Sequence, residues 1–373
     1  MTRVLNAVFI RSSARPIPRI IRMIHVAQEL NVNCRFVGAH RDKGLPKVDL
    51  WSGINVCRVG RYFPLANGTG FLTYLKGVTV FNYSCFRLLI KTKPDLVHVS
   101  DYDSYLGGWL YSRFYGVKLI YNIHDNLSQR YPVNFIFKGV LNFIEGMFVL
   151  GSNISLVPED FRRDALPAWC RKRVHVVRNT PELVDDGSPN YVKQDAVKIK
   201  LFFAGWIEKG RGIDSLFALA EDPRLDITVA GDGDPALVEK IKANLKIRYL
   251  GYLTHAQIMQ ETTECHFVYA LYDPVREINI YAAPNKLAEA LSCGKPVVMN
   301  DEVMLAKAVA DYGCGVLMPY SQVSEVADQL SAILKDSEQY EKMCQGARLL
   351  FDSSYSWDVA KGEILKIYKS VTD

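Results

Sequence analysis

A helix with a carboxylate near its start makes residues 284–298 the most informative stretch of the sequence. Its letters, PNKLAEALSCGKPVV, predict a helix over Lys286–Cys293, a stop at Gly294 and a strand from Pro296. The N-terminus of a helix offers free N–H groups and partial positive charge, which suit a phosphate. Glu289 lies one turn further on, where a carboxylate accepts both hydroxyl groups of a ribose. The stretch therefore predicts a nucleotide site, although an amphipathic helix with an exposed Glu explains it as well.

Two glycine-containing loops follow predicted strands in the same half of the chain. In residues 203–213, FAGWIEKGRGI, the glycines let the backbone approach a ligand, and Lys209 and Arg211 are suited to clamp a diphosphate. This loop matches neither GxGxxG nor a Walker loop, which argues against a dinucleotide cofactor and an NTPase. The second loop, AGDGD at residues 230–234, is equally well explained as a tight turn.

Carboxylates and a histidine stand at predicted strand ends in the first half of the chain. His124 and Asp125 follow one predicted strand, and Asp101 and Asp103 follow another. Such positions face the ligand crevice of a parallel sheet. A structural His bonded to nearby backbone stays an open alternative for His124. Two carboxylates spaced as D-x-D can hold a divalent cation, but this spacing is common by chance, and we predict no metal.

Short β-rich runs alternate with helical patterns twice along the chain. Continuous apolar strands between helices indicate parallel sheets covered on both faces. Residues 180–190, TPELVDDGSPN, are rich in turn formers and predict a linker between the two series. We therefore predict an α/β fold with two doubly wound, Rossmann-like domains, residues 1–182 and 190–355, facing a central cleft.

Composition limits the function classes. The chain has 373 residues, of which 49% are hydrophobic and 23% charged, values ordinary for a globular protein of about two domains. No run approaches the ~18 apolar residues that a membrane span needs. The eight cysteines form no CxxC pair, which leaves zinc and redox motifs unsupported. No nucleic-acid-binding module is recognisable, and no nucleic acid partner is predicted.

The net charge of +5 hides an asymmetry. Residues 1–180 hold 25 Lys and Arg against 11 Asp and Glu, a net +14, which leaves −9 for the rest. Arg15, Arg19 and Arg22 recur at helical spacing, and aromatic and basic residues mix at 135–143 and 169–173. This composition predicts docking on an anionic membrane surface. A solvated helix face explains the arginines almost as well.

The order of these motifs resembles family 4 of the retaining glycosyltransferases, part of the glycosyl transferases group 1, which have the GT-B fold. The second half carries the resemblance through Gly205, Arg211–Gly212, Gly231–Gly233, Tyr249–Gly251, and Glu289 with Gly294–Val298. In the first half, residues 94–101 and 119–125 are similar to the family's fourth and fifth strands. Residues 355–357, YSW, and the last helix with Tyr368 resemble the segment that returns to the first domain, which implies that residues 356–373 join residues 1–182.

The resemblance implies a UDP- or GDP-sugar donor bound by residues 190–355 and an acceptor bound by residues 1–182. It places His124 against the donor sugar and makes Arg211 the cation on the leaving diphosphate, so these two are the predicted catalytic residues. The departing oxygen helps to deprotonate the acceptor, and neither a metal nor another cofactor is required. The predicted donor contacts are Gly205, Trp206, Gly231, Tyr249, Tyr281, Ala282, Ala283, Pro284, Lys286 and Glu289.

Three features depart from the family pattern. Tyr281 replaces the first Glu of a Glu-x7-Glu motif, and Trp206 replaces the usual Arg after Gly205. Residues 11–15, RSSAR, replace a glycine-rich loop, and their hydroxyl and N–H groups suit an acceptor or a phosphate. The predicted acceptor side consists of Ser12, Ser13, Arg15, Asp101 and Asp125.

The sequence thus predicts a retaining hexosyltransferase that acts on a glycan or lipid-linked acceptor in bacterial surface polysaccharide biosynthesis. The expected location is cytoplasmic, peripheral on the cytoplasmic face of the inner membrane. Two alternatives stay open. An epimerase acting on a nucleotide sugar needs a carboxylate acid–base pair, and the sequence shows no convincing one. A non-catalytic GT-B scaffold is compatible with the missing first Glu.

Overall fold

The computed structural model describes residues 4–62, 70–182, 198–322 and 326–372. The chain divides into two compact units. Unit 1 comprises Met1–Arg178 together with Ala360–Asp373, and unit 2 comprises Asn179–Val359. Of the predicted linker, residues 183–190 lie outside the described residues.

Unit 1 contains an eight-stranded sheet. In chain order its strands are β1 (Asn6–Arg11), β2 (Asn33–Ala39), β3 (Val48–Trp51), β4 (Ile54–Val59), β5 (Leu96–Ser100), β6 (Lys118–Asn122), β7 (Ile154–Val157) and β8 (Val174–Val176). They lie in the order β3-β4-β2-β1-β5-β6-β7-β8, and all neighbours except β3 and β4 are parallel. The strand order reverses between β1 and β5, and ligands bind beyond the carboxyl ends of strands at such a switch point.

The helices of unit 1 bury apolar side chains against this sheet. They are α1 (Pro18–Glu29), α2 (Phe71–Thr92), α3 (Tyr105–Tyr115), α4 (Phe135–Gly151) and α5 (Asp160–Asp164). Val97 and Val99 of β5 are fully buried, as is Leu119 of β6. Because β5 and β6 are covered on both faces, they show the continuous apolar runs from which parallel strands were predicted.

The strand β3 was not predicted from the sequence. It forms an antiparallel hairpin with β4 through Ser52 and Gly53, whose φ angles are 49° and 75°. Two successive positive φ angles match the twist of a tight hairpin. The strand has only four residues, none of them buried, so it lacks the buried apolar run that marks the other strands.

Unit 2 contains a six-stranded, wholly parallel sheet. Its strands are β9 (Ile199–Ala204), β10 (Leu225–Ala230), β11 (Ile247–Tyr249), β12 (Phe267–Ala270), β13 (Val297–Asn300) and β14 (Gly315–Met318). They lie in the order β11-β10-β9-β12-β13-β14. The switch point lies between β9 and β12, so the loops after these two strands are positioned to hold a ligand.

Eight helices accompany the unit 2 sheet. They are α6 (Ile213–Leu219), α7 (Pro235–Ala243), α8 (His255–Glu264), α9 (Glu277–Ile280), α10 (Asn285–Ser292), α11 (Ala306–Asp311), α12 (Val326–Lys335) and α13 (Ser337–Leu350), as described in residues 198–322 and 326–350. The final helix, α14 (Trp357–Thr372), contributes its residues from Ala360 onward to unit 1. There the Tyr368 hydroxyl lies 3.0 Å from Nδ1 of His98, and the His98 ring stacks on Phe9.

Candidate functional site

Two glycines let the loops after β9 and β10 touch. Gly205 has a φ of 144° and Gly231 a φ of 136°, values that favour glycine strongly. A Cβ atom on Gly231 would lie 1.8 Å from the carbonyl oxygen of Gly205. Both positions therefore require glycine. The Tyr249 hydroxyl donates to the Gly231 carbonyl at 2.8 Å and supports this arrangement from β11.

Two cations converge beside these loops. The guanidinium of Arg211 lies 4.7 Å from the centroid of the Tyr272 ring, and Nζ of Lys286 lies 3.9 Å from that of Phe203. Burial and the neighbouring Arg211 lower the pKa of Lys286 to about 7, while Glu289 opposes the shift. The two like charges stand close together at the ends of β9 and β12, which suits a multiply charged anion.

The helix α10 brings its N-terminus and Glu289 to the same side of unit 2. Pro284 precedes the helix in an extended conformation, with φ −79° and ψ 140°. Glu289 is nearly buried, and its Oε1 lies 3.4 Å from Nε2 of His255, the first residue of α8. His255 was not predicted as a site residue. The one feature of the sequence that could have indicated it is its position just after the turn that follows β11.

The other predicted donor residues occupy the rim of this region. Trp206 is 60% exposed beside Gly205. Tyr281 ends the single turn of α9 and is partly buried. Ala282 is buried and Ala283 is partly buried just ahead of α10. Small side chains at these positions add little bulk next to the helix N-terminus.

Asp101 organises the carboxyl edge of the unit 1 sheet. It accepts hydrogen bonds from the backbone N–H of His124 and from Nη2 of Arg130, both at 3.0 Å, and its second oxygen lies 3.4 Å from Nη2 of Arg11. Burial alone would raise the pKa of Asp101, but Arg130, His124 and Arg11 hold it well below its usual range. The φ of Asp101 is 64°, a strained value for a residue other than glycine.

His124 is neutral in this setting. Burial lowers its pKa to about 4, although Asp101 opposes the shift. Its neighbour Asp125 lies 2.9 Å from Nη2 of Arg162 and 3.7 Å from Nη2 of Arg130. A neutral imidazole can donate or accept one hydrogen bond at each nitrogen, but it brings no charge to a reacting sugar.

The predicted acceptor-side residues divide into two groups. Ser12 donates to the Asp103 carboxylate, next to the Asp101 network. Ser13 instead donates to the carbonyl of Arg15 at 2.7 Å, and the Arg15 guanidinium lies 4.5 Å from the centroid of the Trp51 ring on β3. The structure therefore brings Ser12, Asp101, His124 and Asp125 together. Arg15 instead contacts Trp51 of the β3 hairpin, and the Ser13 hydroxyl is used by the Arg15 carbonyl.

Three arginines of this network were not predicted as site residues. Arg11 ends β1, Arg130 follows the short turn after Asp125, and Arg162 lies on α5. A signal existed for Arg11, because it is the last residue of a buried strand. Arg130 and Arg162 come from separate segments, and no local spacing links them to Asp101 or Asp125.

The prediction that Arg15, Arg19 and Arg22 line one exposed helix face was wrong. The helix α1 begins at Pro18, after Arg15. Arg19 is 5% exposed, and its Nη1 donates to the carbonyl of Val177 at 2.7 Å. Burial and the neighbouring Arg22 lower the pKa of Arg19 to about 9. A buried carbonyl beyond β8 needs a donor, so Arg19 turns inward instead of facing solvent.

Among residues 4–62, 70–182, 198–322 and 326–372, no group of three or more His, Cys, Asp or Glu side chains is placed to hold a metal ion. The carboxylates of Asp101 and Asp103 accept hydrogen bonds from protein groups instead. Within the same ranges, every helix is too short or too polar to cross a bilayer.

Residues 191–350 match the model of a family described as glycosyl transferases group 1. This segment is similar to that family. The match covers the switch point of unit 2, with Gly205, Arg211, Lys286 and Glu289. It confirms the family resemblance that the motifs indicated.

Two curated proteins are similar to the chain. A phosphatidyl-myo-inositol mannosyltransferase from Mycobacterium leprae is 24% identical over 204 residues, which are 49% of this chain and 53% of that protein. This chain thus spans about half the length of that relative. An α-D-kanosaminyltransferase from Streptomyces kanamyceticus is 24% identical over 289 residues, 70% of this chain and 73% of that protein.

Solved structures share the fold of this chain. Sucrose-phosphate synthase from Thermosynechococcus elongatus superposes with a TM-score of 0.78 at 14% identity over 99% of both chains. HepE of Anabaena in complex with UDP-glucose superposes with a TM-score of 0.69 at 15% identity, covering 98% of this chain and 100% of that one. These likenesses confirm the predicted fold class, GT-B with two Rossmann-like domains.

Proposed function

We propose that the chain is a glycosyltransferase that binds a UDP- or GDP-sugar in unit 2 and transfers the sugar, with retention, to an acceptor bound by unit 1. The observation that carries this proposal is the convergence of Arg211 and Lys286 beside Gly205 and Gly231, with Glu289 on the adjacent helix. Cations and open backbone N–H groups suit the diphosphate, and the carboxylate suits the ribose.

The relatives support this class of reaction. The curated ones are named as transferases of mannose and of kanosamine, and a structural neighbour is in complex with UDP-glucose. The same chemistry in this chain needs a leaving diphosphate held by positive charge. Arg211 and the protonated form of Lys286 supply positive charge for it, so the proposal requires no divalent metal.

The proposed reaction breaks the bond between the anomeric carbon and the diphosphate oxygen and forms a bond from the acceptor oxygen to the same face of the sugar. The acceptor proton passes to the departing phosphate oxygen. Arg211 and Lys286 stabilise the charge that develops on that oxygen. His124, neutral at working pH, positions hydroxyl groups by hydrogen bonding and does not act as a base.

We further propose that unit 1 docks on an anionic membrane and that the acceptor is a lipid-linked glycan of a bacterial surface polysaccharide. Support comes from α4, on which Phe135 is 89%, Ile136 75% and Phe137 61% exposed. The only acidic residue of α4, Glu145, is buried, and the basic run 171–173 follows the half-exposed Trp169. Exposed aromatic residues beside positive charge are typical of peripheral attachment to a membrane surface, here the cytoplasmic face of the inner membrane.

Donor hydrolysis without acceptor, measured over a panel of UDP- and GDP-sugars, tests the enzyme proposal. We expect slow release of the nucleoside diphosphate from one preferred donor, and loss of that release in Arg211→Gln. An epimerase would convert the sugar while leaving the nucleotide attached. A scaffold would bind a donor and release nothing. Either result would overturn the proposed transfer.

A further inference from the structure

A small cavity lies at the carboxyl edge of the unit 1 sheet, beside α2. Its polar side chains are those of Ser12, His40, Arg41 and Arg61, and apolar residues of β2, β4 and α2 complete the lining. Arg41 follows β2, and Arg61 follows the neighbouring strand β4. Two parallel strands that pair side by side thus bring an arginine each to the same space.

The charge of Arg41 is not matched by an acidic partner. Its guanidinium makes no hydrogen bond or ion pair with the residues of the four described ranges. Burial lowers the pKa of Arg41, Asp103 opposes this shift, and the nearby Arg11 adds to it. Nη1 of Arg11 is itself buried without a hydrogen-bond partner among those residues. Positive charge is therefore gathered here in a setting that penalises it.

The carboxylates nearby are poor counter-ions for Arg41. Burial and the neighbouring Asp101 raise the pKa of Asp103, whose carboxylate already accepts the Ser12 hydroxyl. Asp101 is engaged by Arg130, His124 and Arg11. The hydroxyl of Tyr74 lies near Arg41, but burial raises the pKa of Tyr74, so it supplies no negative charge.

We propose that this cavity binds a phosphate group, held by the guanidinium groups of Arg41 and Arg61. A phosphate dianion offers charge and oxygens to both arginines, whereas a carboxylate carries half that charge. The assignment of this phosphate to an ester on the acceptor rests on the proposed function. The phosphate site itself is inferred only from the cavity and from the charged residues that line it. Arg41 and Arg61 belong to unit 1, whereas the proposed donor cations Arg211 and Lys286 belong to unit 2.

Titration calorimetry of the full-length protein with inorganic phosphate, at fixed ionic strength, tests the site. Because phosphate can also bind the donor cations, the background is Arg211→Gln. In that background we expect phosphate binding to persist and to weaken at least tenfold when Arg41→Gln is added. Arg41→Lys retains the positive charge and should lose less phosphate affinity than Arg41→Gln. Arg35 is an exposed arginine near the other end of β2. Arg35→Gln therefore serves as the matched control and should leave the phosphate affinity unchanged.

Two further ligands distinguish a soluble from a lipid-borne source of the phosphate. Tighter binding of glucose 1-phosphate than of inorganic phosphate supports a soluble phosphorylated acceptor, and tighter binding of short-chain phosphatidic acid supports a lipid-borne one. Equal phosphate affinity with and without Arg41→Gln overturns the site. Arg41→Gln should leave the affinities for UDP and GDP unchanged. Phosphate binding therefore tests the proposed phosphate site, and nucleotide binding tests the proposed donor site independently.

Discussion

Nε2 of His255 lies 3.4 Å from Oε1 of Glu289, across the space between α8 and α10. Glu289 is nearly buried, while the His255 side chain is 48% exposed. The contact uses one carboxylate oxygen and leaves the other for a ligand. It also holds the carboxylate in place before a ligand arrives, and such preorganisation lowers the entropic cost of binding.

Replacing this carboxylate should weaken nucleotide binding. In Glu289→Ala we expect the affinity for free UDP or GDP to fall about tenfold or more, because a hydrogen bond to a charged group contributes about 1.5–3 kcal/mol. Calorimetric titration of each nucleotide measures this. The control is Glu239→Ala, which removes an exposed carboxylate from α7. An unchanged dissociation constant in a folded Glu289→Ala protein would remove Glu289 from the site.

Diphosphate binding should depend on pH through Lys286. With a pKa of about 7 in the free protein, Lys286 loses its positive charge as pH rises above 7. We expect UDP or GDP affinity to fall between pH 7 and 9, where the diphosphate is already ionised, by up to tenfold per pH unit. In Lys286→Arg the charge persists and the profile should be flat. A wild-type profile as flat as that of the Arg variant would place Lys286 away from the phosphates.

The pH dependence of turnover should show no ionisation of His124 near neutral pH. Because burial lowers its pKa to about 4, the imidazole is neutral from pH 5.5 to 8. We expect His124→Gln to lower kcat about tenfold, as for one lost hydrogen bond, with an unchanged shape of the pH profile. Disappearance of an acid limb near pH 6–7 in the variant would show instead that His124 titrates as a base.

Activity should be independent of divalent metal. Because the proposed site places Arg211 and Lys286 on the leaving diphosphate, we expect EDTA to change turnover by less than about twofold. The measurement compares initial rates with EDTA, with Mg²⁺ and with Mn²⁺. Loss of activity on chelation and recovery with either metal would revive Asp101 and Asp103 as a metal pair.

Vesicle binding should depend on α4. We expect the triple change of Phe135, Ile136 and Phe137 to Ser to reduce partitioning onto anionic vesicles at least tenfold, because buried apolar area contributes about 25 cal/mol per Å². Co-sedimentation at low and high salt measures this. Leu245→Ser with Val275→Ser alters equally exposed apolar residues of unit 2 and should have no effect. Equal binding by the triple variant and the wild type would exclude α4 as the docking surface.

The sequence by itself determined the fold class and the glycine-dependent loops after β9 and β10. Parallel strands are buried on both faces, so their apolar runs stand out. The helix start at 284–286 is local, and so are Gly205 and Gly231, whose left-handed backbone only glycine adopts easily. Local interactions leave a local signal, and for this reason these features could be predicted.

Tertiary structure alone decided which charged side chains act together. Arg130 reaches Asp101 because β5 pairs with β6, and Arg162 reaches Asp125 because β6 pairs with β7. Arg41 reaches its cavity because β2 pairs with β4. Helical spacing placed Arg19 on an exposed face, but a buried carbonyl of Val177 draws it inward. Long arginine side chains extend several ångströms from the backbone, so strand order and the nearest unpaired polar group, rather than sequence spacing, determine their partners.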